Sequence, residues 1–190
     1  MKTLDIRWNG LTPLLMNSSI GVNPTHPMTI ALKKITGKKN KTEDDHLEIM
    51  RIKWLLAIYH DVAVGPFVPA ENIEATIREA AKKTKKGKDT KSAIFVSPDR
   101  IPLLYDGPRD LDSLYDDERF RDVRDGVIQR ARVLLSRPRF VHWRVDFALE
   151  YDPAIFDEES LLSILDTAGR YIGLCDYRPR YGRFESLVRK

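Results

Sequence analysis

Cysteine, long apolar runs and the familiar catalytic signatures are rare or missing in this chain of 190 residues. The single cysteine, Cys175, excludes an internal disulfide and a cysteine-rich metal site, and it favours a reducing compartment. No apolar stretch approaches the ~20 residues of a membrane span, and Met1–Thr3 leads directly into an alternating pattern without a signal-peptide core. These absences predict a cytoplasmic protein.

The chain has no Gly-rich phosphate loop and no HExxH, CxxC or GxSxG motif. Its histidines are scattered, at His26, His46, His60 and His142. His142 shares a predicted strand face with Arg144 and Asp146, an arrangement that suits either acid–base chemistry or ordinary cross-strand pairing. The sequence therefore favours a binding protein over an enzyme, and we predict no cofactor and no metal site.

Charge is segregated along the chain although the formal net charge is only +4, with a pI near 9.1. Residues 33–41 carry five lysines and no acid, and residues 78–91 carry seven basic residues against two acids. Residues 106–125 reverse the balance, with eight acids against four arginines. Such patches favour an anionic partner such as nucleic acid, or the docking of one copy on the next.

Strands are predicted where apolar residues alternate with polar ones. Leu4, Ile6 and Trp8 alternate in this way near the N-terminus, and residues 140–151 form the clearest run. Residues 127–136 precede that run, and a turn at Arg137–Arg139 predicts a hairpin between the two. Residues 184–188 predict a last strand.

Helical spacing predicts helices over residues 27–35, 42–58 and 69–86, and another after the N-cap Asp157. The resulting order predicts an α+β fold in one domain over residues 1–190, a ferredoxin-like or RRM-like βαββαβ sheet. A helical insertion over residues 25–90 would occupy the first crossover, and residues 106–126 are expected to form an acidic loop insertion. One sheet face would remain open and basic.

The C-terminal segment is built unlike the rest of the chain. Between residues 169 and 183 it interleaves three glycines, three tyrosines and four arginines. Glycine permits close backbone approach to a ligand, whereas arginine and tyrosine pair with phosphates and stack on bases. The residues predicted to bind nucleic acid are Gly169, Arg170, Tyr171, Gly173, Tyr177, Arg178, Arg180, Tyr181, Gly182 and Arg183, with Arg144 on the sheet and Lys38, Lys39, Lys82, Lys83, Lys85 and Lys86 in the lysine clusters.

A helix at Glu158–Ala168 that runs through Gly169, Gly173 and Gly182 into a strand at Phe184–Val188 resembles the RAMP superfamily, which supplies RNA-binding backbone subunits of CRISPR effector complexes. The resemblance implies an RRM-type fold whose glycine-rich loop approaches RNA. Residues 11–17 and 169–184 also resemble small phage and prophage proteins, which implies a viral protein acting in the host cytoplasm.

We therefore expect a non-catalytic protein that binds single-stranded RNA or DNA and that assembles along the strand through its acidic segment. Two alternatives stay open. One is a metal-independent RAMP-type endoribonuclease that uses His26 or His142. The other is a phage decoy that binds a host protein complex in place of nucleic acid.

Overall fold

The computed structural model describes residues 1–128 and 131–189, with side chains outside 126–133. In chain order the strands are β1 (Lys2–Gly10), β2 (Leu14–Leu15), β3 (His60–Asp61), β4 (Gly65–Pro69), β5 (Ile94–Ser97), β6 (Arg100–Pro102), β7 (Arg121–Ile128), β8 (Ala131–Phe140), β9 (Arg144–Tyr151) and β10 (Phe184–Val188). The α-helices are α1 (Pro27–Thr36), α2 (Glu43–Ala57), α3 (Ala70–Ala81), α4 (Thr90–Ala93), α5 (Leu111–Asp116) and α6 (Glu158–Thr167). The predicted α+β class is confirmed.

The chain divides into two compact units that interleave along the sequence. Unit 1 contains residues 1–14, 60–106 and 140–190, and unit 2 contains residues 15–59 and 107–139. Unit 2 is thus made of two segments inserted into unit 1. The first segment ends well before residue 90, the predicted end of the helical insertion, because α3 has its apolar side in the core of unit 1.

Unit 1 is built on an antiparallel sheet of four strands in the order β10-β1-β9-β5. The alternation predicted for β1 and β9 is present, because Ile6, Trp8, Val145 and Phe147 are all buried. Helices α3 and α6 pack against this sheet. Ile77 of α3 and Leu161 of α6 are fully buried. A smaller sheet, β3-β4-β6, belongs to the same unit.

An aromatic cluster fixes the central strands of unit 1. The rings of Trp8 and Phe184 stack with centroids 3.8 Å apart, and Phe147 meets Trp8 edge-on at 5.1 Å. Trp8 Nε1 donates to Ser186 Oγ at 3.0 Å, so the buried indole is satisfied. This cluster holds β10, the strand that follows the C-terminal loop, against β1.

Unit 2 contains α1, α2, α5 and the hairpin β7–β8, which pairs in register from Arg121 opposite Pro138 to Ile128 opposite Ala131. Trp54 of α2 is fully buried, and its Nε1 donates to Phe120 O at 3.0 Å. Helix α2 begins with a capping box, because Thr42 accepts from Asp45 N and Asp45 accepts from Thr42 N. Among the described residues, no helix combines the length and apolarity that a membrane crossing requires.

Two predictions about this region were wrong. Residues 106–126 are not simply a loop, because they contain α5 and most of β7, and Asp110 caps α5 by accepting from Ser113 N at 2.8 Å. Arg137–Arg139 is not a turn either. Pro138 lies within β8, opposite Arg121 of β7, and the hairpin partner of β8 is therefore β7 rather than β9.

Candidate nucleic-acid interface

A surface groove of about 600 Å³ follows the C-terminal end of α3 in unit 1, and every side chain that lines it is cationic. We call it the basic groove. Its lining residues are Arg78, Lys82, Lys85, Gly87, Lys88 and Lys91. No acid lines the groove, so the positive charges of these side chains add together and favour the binding of an anion.

The local backbone explains why these cations converge. Helix α3 ends at Ala81 and continues as a 3-10 turn over Lys82–Thr84. Lys85 closes that turn in the left-handed conformation, at φ 62°, and Lys86 N donates to Ala81 O at 2.9 Å. A Cβ on Gly87 would lie 2.6 Å from Lys82 Cγ. Glycine therefore lets the chain return close to the helix end, which brings the lysines of the following turn into the groove.

One acid lies beside the basic groove. Glu79 accepts a hydrogen bond from Lys82 Nζ at 2.6 Å. That bond, with the charges of Lys82 and Arg178, holds the pKa of Glu79 below its ordinary value. Within the described part of the chain, no carboxylate lies within ion-pair distance of Lys85, Lys88 or Lys91, so their charge is available to a ligand.

The C-terminal loop, residues 173–183, is closed by backbone hydrogen bonds. Leu174 N donates to Gly182 O at 2.8 Å, and Gly182 N donates to Pro13 O at 2.9 Å. Leu174 is fully buried. The loop is therefore packed on the N-terminal segment of unit 1 rather than extended into solvent.

The glycines of this segment are occupied by the protein itself. A Cβ on Gly169 would lie 2.1 Å from Phe184 O, and one on Gly182 would lie 2.0 Å from Leu174 O. Gly173 and Gly182 also have positive φ, at 80° and 71°. All three are buried. These glycines were predicted to let the backbone approach a ligand closely, but the atoms that lie close to them belong to the protein's own backbone.

Arg178 connects the C-terminal loop to α3. Its Nη1 donates to Thr76 Oγ1 at 3.3 Å and to Gly173 O at 3.4 Å. A second contact lies just outside these two elements, because Nζ of Lys83, in the turn after α3, lies 5.9 Å from the ring centroid of Tyr171, in the turn before the loop. The structure thus brings together the predicted loop and the predicted lysine cluster along one helix.

The tyrosines and the remaining arginines of residues 169–183 differ in what they can offer a ligand. Tyr171 and Tyr177 are 63% and 50% exposed, whereas Tyr181 is half-buried with its ring centroid 5.6 Å from that of Tyr177. Arg170 is paired with Asp166 at 2.8 Å. Arg180 and Arg183 are exposed, and the described residues supply no carboxylate partner for either. These two carry the available charge of the loop.

The other predicted lysines do not line the basic groove. Lys86 Nζ lies 5.4 Å from the ring centroid of Phe156, and it lines a separate pocket beside α6. Lys38 belongs to unit 2, where it pairs with Asp45 at 2.6 Å, and Lys39 is exposed beside it.

The open face of the large sheet has mixed charge rather than the expected basic charge. Arg7 forms a bidentate pair with Asp146, at 2.7 and 2.9 Å, and the hydrogen bond from Arg7 lowers the pKa of Asp146. Arg144 is exposed on this face, and Glu150 and Glu185 alternate onto it from β9 and β10. Carboxylates from neighbouring strands thus balance the arginines. Arg130 lies outside the described residues, as does the side chain of Arg132.

The acids of residues 106–125 are largely engaged within unit 2. Asp112 pairs with Arg51 at 2.6 Å, and Asp117 pairs with Arg119 at 2.6 Å. Asp122 is buried against Arg124. These pairs serve the fold of unit 2, which reduces the charge that the segment can present to another copy.

The histidines are dispersed in the structure too. His142 is exposed in the bend before β9. His26 stands at the N-cap position of α1 in unit 2, but its side chain makes no capping hydrogen bond, and its buried Nδ1 lacks a partner among the described residues. No cluster of His, Cys, Asp and Glu suited to a metal ion occurs in the described ranges. Burial raises the pKa of the Cys175 thiol to about 12.

The positive charge of residues 78–91 was evident from the sequence, but Arg78, Lys88 and Lys91, which line the groove, were not among the predicted site residues. The signal was present as a spacing of four between Arg78 and Lys82, which places both on one helix face, followed by a glycine that reverses the chain. Comparison with protein-family models gives no match, and comparison with curated proteins gives none either.

Proposed function

We propose that the protein binds single-stranded nucleic acid at the basic groove, with the exposed edge of the C-terminal loop as a second contact. The observation that supports this most directly is the lining of the groove, which is cationic throughout. Phosphates would bind Lys85, Lys88 and Lys91, and lysine contacts of this kind carry little sequence information.

Stacking would add to the phosphate contacts. Tyr171 lies beside Lys83 and is well exposed, so a base could stack on its free surface while a neighbouring phosphate reaches the groove. Tyr177 offers a similar surface on the loop. Stacking of this kind contributes about 1–3 kcal/mol per base, and it distinguishes a single strand from a duplex.

We also propose that the large sheet of unit 1, with α3 and α6, is a ferredoxin-like βαββαβ unit of the RAMP type. Its strand order β10-β1-β9-β5 supports this, because the first strand lies between the third and the last. Helix α3 precedes β5 and α6 precedes β10, as two crossover helices would. Under this proposal, unit 2 is an elaboration carried by two insertions.

The test is fluorescence anisotropy with labelled single-stranded RNA, single-stranded DNA and duplex DNA, each at two salt concentrations. The groove variant is Lys85→Asn/Lys88→Gln/Lys91→Gln, in which asparagine suits the left-handed backbone at position 85. A matched control removes the same charge from unit 2, as Lys33→Gln/Lys34→Gln/Lys41→Gln. We expect salt-sensitive binding of single strands that the groove variant weakens at least tenfold and the control leaves within about twofold.

The loop contact needs its own variant. Arg180→Ala/Arg183→Ala removes exposed charge, whereas Arg178 also holds the loop to α3 and its loss would mix binding with folding. We expect a smaller loss of affinity than in the groove variant. No binding of any oligonucleotide at low salt would reject the proposal and favour a protein partner. Cleavage of the RNA in EDTA that His142→Ala abolishes would favour the endoribonuclease alternative.

Assembly along the strand is a separate proposal. Light scattering with and without a single-stranded oligonucleotide tests it directly. Growth of the scattering mass beyond one protein per oligonucleotide supports assembly, and a constant monomer in both conditions contradicts it.

A further inference from the structure

Unit 2 contains a cavity of about 380 Å³ that the proposed nucleic-acid interface does not use. It lies among the turn before α1, the middle of α1, the end of α2 and strand β8. The residues that line it are Asn17, Ser18, Gly21, Val22, Leu32, Lys53, Leu56, Ala57, Leu135, Ser136 and Arg137. Its volume falls within the range of about 300–1,000 Å³ in which small-molecule sites are found.

The walls of this cavity are mainly apolar. Leu32 of α1 and Leu56 of α2 face it from two helices, and Leu135 contributes from β8. Val22, which is largely exposed at 80%, lies at the turn before α1. An apolar ligand body would therefore replace water against aliphatic side chains, which is favourable in proportion to the area covered.

Lys53 places a charge in these apolar surroundings. Its Nζ donates to Leu134 O at 2.6 Å, and in the described part of the chain no carboxylate lies close enough to pair with it. Burial of the ammonium group lowers the pKa of Lys53. An ammonium group has three donors, so two remain for a ligand after the bond to Leu134.

Ser136 supplies an unsatisfied polar group in the same cavity. It is 3% exposed, and its Oγ has no hydrogen-bond partner among the described residues. A buried hydroxyl without a partner costs free energy, so its retention beside a ligand-sized cavity indicates a missing partner. The ammonium group of Lys53 can only donate, and the hydroxyl of Ser136 can donate as well, so one acceptor could serve both.

We propose that this cavity binds a small monocarboxylate with an apolar body. The carboxylate would accept hydrogen bonds from Lys53 and Ser136, and the body would pack against Leu32 and Leu56. Lys53 would pair with the one negative charge, with Arg137 as the second cation of the lining, and the apolar walls disfavour a heavily hydrated polyanion. The inference is independent of the nucleic-acid proposal, because it concerns residues of unit 2 alone.

The test is isothermal titration calorimetry of the full chain with octanoate as the probe and 1-octanol as the uncharged control. Lys53→Met keeps the apolar stem and removes the charge, and Ser136→Ala removes the hydroxyl with little change of volume. Lys34→Met on the exposed surface of α1 is the matched control. Circular dichroism of each variant establishes that it is folded before titration.

We expect octanoate to bind the wild type and Lys34→Met with equal affinity. Its affinity should be lower by about tenfold or more for Lys53→Met and severalfold lower for Ser136→Ala. Octanol should bind more weakly than octanoate to the wild type and equally to wild type and Lys53→Met. No heat of binding with octanoate at millimolar concentration would overturn the proposal. Equal affinities of octanoate and octanol would also overturn it, because the carboxylate would then have no partner.

Discussion

Substitution of Gly182 by alanine should destabilise unit 1, because the C-terminal loop leaves no space for a side chain there. A Cβ at this position would lie 2.0 Å from Leu174 O and 2.8 Å from Leu174 N. Relief of that overlap requires the hydrogen bond from Leu174 N to Gly182 O to lengthen or break. The positive φ of 71° adds a second cost, because alanine disfavours this region by about 1–2 kcal/mol.

The two costs together amount to about 2–5 kcal/mol, since overpacking a tight site costs about 1–3 kcal/mol by itself. With a urea m-value of about 2 kcal/mol/M, the unfolding midpoint should fall by about 1–2.5 M. Urea unfolding followed by far-UV circular dichroism measures this shift. Gly21→Ala is the control, because its Cβ would meet only the side chain of Leu56, at ordinary distances of 3.5 to 3.9 Å. If Gly182→Ala and wild type unfold at the same urea concentration, the loop is not packed in the way described.

Two further predictions concern ionisation in unit 1. Asp146→Asn should lower the thermal midpoint at pH 7 by about 2–4 °C through loss of its pair with Arg7, and Glu150→Gln on the same face should leave it unchanged. Because the folded-state pKa of Asp146 is lowered, its contribution to stability is present above about pH 4 and disappears as the pH falls through the folded-state pKa. The thermal midpoints of wild type and Asp146→Asn should therefore converge in acid, and a difference that persists at low pH contradicts this. Cys175, with its pKa raised to about 12, should react with Ellman's reagent at pH 8 far more slowly in the native protein than in guanidinium. Equal rates would mean that the thiol is not buried.

The elements with strong local signals could be predicted from the sequence. The alternation of Ile6 and Trp8 in β1 identifies a half-buried strand, and Asp157 caps α6 by accepting from Ser160 N at 2.8 Å. Such signals depend on neighbours in the chain, and they hold wherever the element lies in the fold.

Strand pairing could not be predicted in the same way. β8 lies beside β9 in the sequence, yet it pairs with β7 in unit 2 while β9 pairs with β1 and β5 in unit 1. Alternation identifies the buried face of a strand but not its partner. The division of the chain into two interleaved units is therefore a property of long-range contacts that the local pattern does not contain.

The candidate site shows the same limit. Composition identified the arginines and tyrosines of the loop, but the role of Gly169 depends on contact with Phe184 O, which only the folded chain reveals. The convergence of Arg78 with Lys91 likewise depends on how the chain returns after Gly87. The charge was visible in the sequence, whereas the groove that concentrates it was not.

The most direct test of the basic groove is the salt dependence of single-strand binding, compared between the groove variant and the matched unit 2 variant. Removal of three phosphate contacts should reduce the slope of log affinity against log salt concentration by about 2 in the variant at Lys85, Lys88 and Lys91. The variant at residues 33, 34 and 41 carries the same change of net charge and should keep the wild-type slope. Equal reductions in both variants would contradict the account, because binding would then follow total charge rather than the basic groove.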